Sequence, residues 1–152
     1  MEIRKISVDA LSLPEVLALL DIARGISPRR PDWKDLKQKL RQFELCGIYD
    51  RTELVGYAQI EGRCPYFGGS VQIVSLRYLW PYHQETQIAG LLRGIAELYC
   101  HESAWLVMDV DSKQDLNYSL YIALGFQVCP MCSPSGQDHV LLLCPVESLL
   151  KD

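Results

Sequence analysis

The stretch AWLVMDV, residues 104–110, constrains this chain most. It is apolar almost throughout and interrupted by one carboxylate, Asp109. A strand facing water on one side alternates apolar and polar residues, whereas a near-continuous apolar run belongs to a sheet covered on both faces. Such a sheet needs helices above and below it. Helical patterns stand on either side of the run in sequence, at residues 85–103 and 113–124.

The rest of the chain reads in the same terms. EIRKISV, residues 2–8, alternates and predicts a strand. Ser12 caps a helix with Pro14 and Glu15 in its first turn, which runs to Gly25. Asp32 is placed to cap a second, WKDLKQKLRQF. ELCGIYD and ELVGYAQIEG, joined at Arg51-Thr52, read as a hairpin. SVQIVSLRYLW reads as a long strand rich in β-branched and aromatic residues. After the turn PYHQ, the residues Ile88, Leu91, Leu92, Ile95, Ala96, Leu98 and Tyr99 recur at helical spacing. Gly125 ends the helix expected over 113–124, and FQVCPM and HVLLLCPV form a last hairpin about SPSGQ. The prediction is an α/β (α+β) fold: one mixed, mostly antiparallel sheet of six to seven strands with helices on both faces. At 152 residues one domain, 1–152, is expected.

Composition excludes several function classes. Net charge is −4 with no strongly basic stretch, so nucleic acid is not an expected partner. No run reaches the roughly 18 apolar residues of a membrane span. Charges interrupt MEIRKISVDA, so it does not read as a secretion signal, and a cytoplasmic protein is expected. Of the six cysteines, Cys129 and Cys132 form a CPMC pair. Zinc needs four ligands, and no second pair or HxxxH exists; a redox pair belongs at a helix N-terminus, and CPMC follows a strand. No metal site is expected.

Two segments carry a resemblance. In LWPYHQETQIAGLL, residues 79–92, a strand end and a proline precede Gln84, with Ala89 five residues on. In YIALGF, residues 121–126, a tyrosine precedes Leu-Gly-Phe at the close of a helix. Together with the element order, these resemble the GNAT superfamily of N-acyltransferases. The first segment looks like that family's Q/R-x-x-G-x-G/A turn, with Gln87 in a glycine slot. The second is similar to its Y-x-x-L-G-F.

The resemblance implies acetyl-CoA as acyl donor and an amine on a small molecule or peptide as acceptor. The first amides of a helix lack intrahelical partners and sit at the positive end of its dipole, so they can bind a pyrophosphate. Glu85, Thr86, Gln87, Ile88 and Ala89, with Gln84, are the residues implied there. The pantetheine arm would enter between two strands that part beside Leu79, with Gln114 and Asn117 beside it. Tyr121 occupies the general-acid position. In many relatives a strand glutamate serves as base, but that slot falls near Ser75, which cannot serve. Asp109 and Glu61 are the candidate carboxylates, and His83 lies at the turn. Arg29, Arg30, Trp33, Tyr66 and Phe67 are candidates for the acceptor side. A homodimer is implied by the apolar HVLLLCPV and the tail ESLLKD. Two other readings remain: a catalytically impaired GNAT-fold binding module, and a CPMC-based metal or redox protein.

Overall fold

The computed structural model describes residues 2–25, 28–61, 70–78, 85–101, 104–132 and 138–151. Seven strands form one sheet: β1 (Glu2–Ile6), β2 (Glu44–Asp50), β3 (Glu53–Glu61), β4 (Ser70–Tyr78), β5 (Trp105–Asp111), β6 (Gln127–Cys132) and β7 (His139–Pro145). Their order across the sheet is β1-β2-β3-β4-β5-β7-β6. Every neighbouring pair is antiparallel except β4 and β5, which run parallel. The expected mixed sheet is therefore present.

Five helices accompany it: α1 (Leu13–Arg24), α2 (Trp33–Leu40), α3 (Glu85–Tyr99), α4 (Tyr118–Leu124) and α5 (Val146–Leu150). They divide between the faces. On one, Leu19, Leu20 and Ile22 of α1 and Leu36 and Leu40 of α2 pack on Leu45, Tyr49, Leu54 and Tyr57. On the other, Ile88, Leu92, Ile95, Ala96 and Tyr99 of α3 pack on Cys46, Ala58, Ile60, Leu106, Met108 and Val110, and Tyr121 and Phe126 complete that core. A fully buried Leu or Ile in such a layer contributes about 1.5–3 kcal/mol.

Local chemistry fixes the element ends. Ser12 and Glu15 form a capping box, each side chain bonding the other's backbone N–H. Gly94 lets β1 approach α3, since a Cβ there would stand 2.4 Å from Ile3 Cδ1. At the end of α4, the Phe126 N–H donates to Tyr121 O (3.0 Å) and the Gly125 N–H to Ile122 O (3.1 Å). Gly125 has φ 111°, the left-handed conformation glycine adopts at least cost. These bonds are the two of a Schellman stop.

Several boundaries differ from expectation. The first strand ends at Ile6, because Ser7 accepts from the Asp9 N–H and opens a 3-10 turn, Val8–Ala10. Asp32 stands at the N-cap of α2 but makes no side-chain cap bond, and that helix stops at Leu40. The helix expected over 113–124 begins only at Tyr118. Asp111 and Asp115 redirect the chain before it: Asp111 Oδ1 accepts the N–H groups of Lys113 and Gln114, and Asp115 Oδ1 that of Asn117. Short acidic side chains compete with the helix ladder in this way.

The tail folds as α5, with Val146 and Leu149 buried in the α3-side core and Leu150 39% exposed. β7 lies between β5 and β6, with Leu141 and Leu142 fully buried. The CPMC pair falls within strand β6, and Cys129 is buried.

Candidate active site

The parallel pairing of β4 and β5 covers only Ser70↔Trp105 through Ile73↔Met108. Both strands continue beyond it, each held on its outer side. β4 stays paired with β3 as far as Gly56↔Tyr78, and β5 stays paired with β7 as far as Asp111↔His139. The sheet therefore forks after Ile73 and Met108. Strand edges turned inward at such a fork offer main-chain donors and acceptors to an extended ligand.

The fork opens at the C-terminal ends of β4 and β5, the end from which the chain leaves toward α3 and α4. Leu79 and Gln84, like His83, Tyr66 and Phe67, lie outside the described residues. Glu85, Thr86 and Gln87 form the first turn of α3. Gln87 thus has helical geometry, and the glycine of the family's turn is not needed there for a positive φ. The amides of this first turn are the ones a helix leaves without partners. Ile88 and Ala89 come after them, and the Ile88 side chain is fully buried in the core. Ile88 thus serves packing.

Tyr121 is 6% exposed and belongs to the α3-side core. It meets the Phe126 ring edge to face, with centroids 6.1 Å apart. The Tyr121 N–H donates to Asn117 O (3.0 Å), so Asn117 stands one turn before it as the spacing implied. Gln114 is not on that helix but in the turn after β5, its N–H bonded to Asp111. The two N–H bonds from Lys113 and Gln114 hold the Asp111 carboxyl below its ordinary pKa, since both favour the ionised form. Bonds from the Ser112 N–H and Oγ to Asp138 O, 2.9 and 3.0 Å, tie this turn to the start of β7.

The two carboxylates expected as bases lie apart. Glu61 ends β3 opposite Gln72, which pairs with Val107, so it sits level with the closed part of the fork. Asp109 is the first β5 residue past the last β4 partner. Both side chains alternate with residues of the α3-side core (Ile60; Met108 and Val110) and so project from the other face. Two strand spacings and two residues separate them, about 12 Å between backbones. Tyr121 and Asp109 consequently flank the sheet from opposite faces.

His139 was not anticipated. Its Nδ1 lies 3.1 Å from Asp109 Oδ1, and its Nε2 lies 4.0 Å from Asp111 Oδ2. The available signal was a histidine opening the strand HVLLLCPV, but strand neighbours cannot be read from one sequence. On the acceptor side, Arg30 is engaged by Asp21, Nε to Oδ1 2.8 Å, and Trp33 packs against the α1–α2 core. Arg30 keeps about half of its side chain exposed, and Trp33 is only partly buried. A hollow of about 640 Å³ opens beside α1 and the β2–β3 hairpin tip, with Glu15, Asp21 and Glu53 in its wall.

Comparison with solved structures places this architecture. No protein-family model and no curated protein matches the chain in sequence. The structural likenesses span nearly the whole chain. The PaiA N-acetyltransferase of Thermoplasma acidophilum, crystallised with coenzyme A, superposes with TM-score 0.65 at 14% identity, covering 95% of this chain and 98% of that one. The aminoglycoside 6'-N-acetyltransferase of Enterococcus faecium gives 0.69 at 11% identity, covering 96% and 97%. The ribosomal-protein-alanine N-acetyltransferase of Brucella melitensis gives 0.59 at 19% identity, covering 94% and 97%. The fold is that of the GNAT acetyltransferases. No helix among the described residues is long and apolar enough to cross a membrane.

Proposed function

We propose that the protein moves an acyl group, acetyl first of all, from coenzyme A to a primary amine on a small molecule or peptide. The observation that carries this reading is the β4–β5 fork, opening toward α3 in a fold shared with acetyltransferases. An extended pantetheine can bond to strand edges in the fork, and its pyrophosphate can meet the amides of Glu85, Thr86 and Gln87. The chemistry asks for a neutral amine, a donor for the oxyanion and a proton or hydrogen bond for the leaving thiolate. Tyr121, at the start of the last turn of α4, is the group for the thiolate. Asp109, at the mouth of the fork, is better placed than Glu61 for the amine side.

The wall of the hollow holds Glu15, Asp21 and Glu53 together with Arg4, and Asp21 is paired with Arg30. Transfer activity of the purified protein, 1–152 as one domain, against a panel of primary amines tests the proposal, with Tyr121→Phe as control. Acetyl transfer lost in the variant supports it; no transfer to any amine rejects it.

One observation favours a second reading, a GNAT-fold binding module. The strand SVQIVSLRY carries no carboxylate, and Ser75, near the slot where the family resemblance implies a glutamate, pairs with Gln59. Coenzyme A binding without turnover would favour that module.

A further inference from the structure

Asp109 lies where the sheet opens, beyond the last β4–β5 pair at Ile73↔Met108. Its carboxylate is 11% exposed, and His139 Nδ1 stands 3.1 Å from it. The other ring nitrogen, Nε2, is 4.0 Å from Asp111 Oδ2, beyond hydrogen-bond range. Because Asp109 and Asp111 both belong to β5, the imidazole lies along β5, the strand that forms one arm of the fork, although β7 carries it. The His139 side chain is 35% exposed.

The two faces of the fork are not equivalent. On the α3 side, Met108, Val110, Tyr121 and Leu142 fill the space beside β5. On the His139 side, the cluster over β5, β6 and β7 consists of Val107, Cys129 and Leu141, and no described helix residue joins it. An amine reaching a thioester held in the fork therefore approaches from the face that carries Asp109 and His139.

We infer that His139 is the general base of the reaction and that Asp109 is its positioning residue. This rests on the acyl-transfer reading above. Asp109 accepts the Nδ1–H, which fixes the tautomer and leaves the Nε2 lone pair open. The amine nitrogen's lone pair forms a bond to the thioester carbonyl carbon, and the carbonyl π pair moves onto oxygen. The ammonium proton passes to Nε2, directly or through one water. The oxyanion pair then re-forms the carbonyl, the C–S bond breaks, and sulfur leaves with its electrons, taking a proton from Tyr121. Amide and thiol result. Solvent reprotonates the phenolate and receives the imidazolium proton from the half-exposed ring. Between the two steps, the imidazolium is flanked by the carboxylates of Asp109 and Asp111.

The test compares wild type with His139→Ala and Asp109→Asn in acetyl transfer to the best amine of the panel. Coenzyme A affinity and melting temperature are measured on each. His139→Ala should lower kcat by about 10² or more, the range of general base catalysis, with coenzyme A affinity unchanged. Free imidazole in the buffer should restore part of the loss. Asp109→Asn should lower kcat less, without response to imidazole. Turnover by His139→Ala equal to wild type overturns the inference while leaving acyl transfer standing. So does a loss that imidazole leaves untouched and that tracks a lowered melting temperature. A wild-type protein that transfers to no amine overturns both readings.

Discussion

Tyr121 and Phe126 meet edge to face across the Schellman stop of α4, their centroids 6.1 Å apart. They occupy the fourth-last helical position and the second residue past the helix, where that motif places its apolar contact. The Y-x-x-L-G-F pattern thus has a structural meaning of its own. Leucine and glycine end the helix, and tyrosine and phenylalanine seal it. The ring contact and the helix stop use the Tyr121 ring and backbone rather than its phenol oxygen.

Tyr121→Phe should therefore separate chemistry from stability. The ring contact and the helix stop survive the change, so urea denaturation should show a loss within about 1.5 kcal/mol, the scale of one hydrogen bond. Acetyl transfer should fall by about 10² or more, the range of general acid catalysis. Equal transfer by both proteins would remove Tyr121 from the mechanism.

Gly125→Ala should act in the opposite sense. At φ 111° a side chain is strained. The cost should be about 1–2 kcal/mol in the urea midpoint, with kcat per folded molecule little changed. An unchanged midpoint would show that α4 ends in some other way.

Gly94→Ala tests the approach of β1 to α3. The new Cβ would stand 2.4 Å from Ile3 Cδ1, so Ile3 must move. Overpacking of this kind costs about 1–3 kcal/mol, partly offset by the higher helix propensity of alanine. Ile3→Val removes the offending methyl. The double variant should thus be more stable than the two single effects added, as a four-way denaturation cycle would show. Strict additivity would contradict the contact.

Tyr49 and Glu15 predict how stability varies with pH. Burial first, then the bond to Glu15 (2.5 Å), pushes the Tyr49 phenol from 10.0 up to about 12. A raised acid pKa favours the protonated form in the fold. This contribution is complete below pH 10 and fades as pH rises toward 12. The same bond is the leading cause that lowers the Glu15 carboxyl from its ordinary 4.5. That contribution is present above pH 4.5 and is lost as pH falls further. Tyr49→Phe should flatten both limbs in urea titrations from pH 3 to 11. Identical limbs would sever the pair.

The sheet was legible because AWLVMDV, the Arg51-Thr52 hairpin and the caps at Ser12 and Gly125 are local signals. Strand periodicity and turn chemistry act over a few residues, and the sequence carries them directly. The start of α4 was not legible: helical spacing runs through 113–117, but Asp111 and Asp115 capture the amides of that stretch. The packing of the tail was not legible either: Leu149 enters the α3-side core while Leu150 beside it stays exposed, and nothing local separates the two. At the site, the position of Asp109 on a strand was readable. Its place at the fork, its face, and its neighbour His139 follow from strand order and register, which are long-range and leave no local mark.

Gln87 bears on the donor site. It lies in the first turn of α3, where its amide needs no glycine. Gln87→Gly should leave the affinity for coenzyme A within a few-fold of wild type and lower helix stability by about 0.5–1 kcal/mol. A variant that binds where wild type does not would mean that Gln87 closes the site.

The most direct test of the central claim is isothermal titration of the wild-type protein with acetyl-CoA. The β4–β5 fork and the first turn of α3 predict one site per chain with micromolar affinity. No heat of binding at millimolar acetyl-CoA would contradict the account and leave a GNAT fold put to another use.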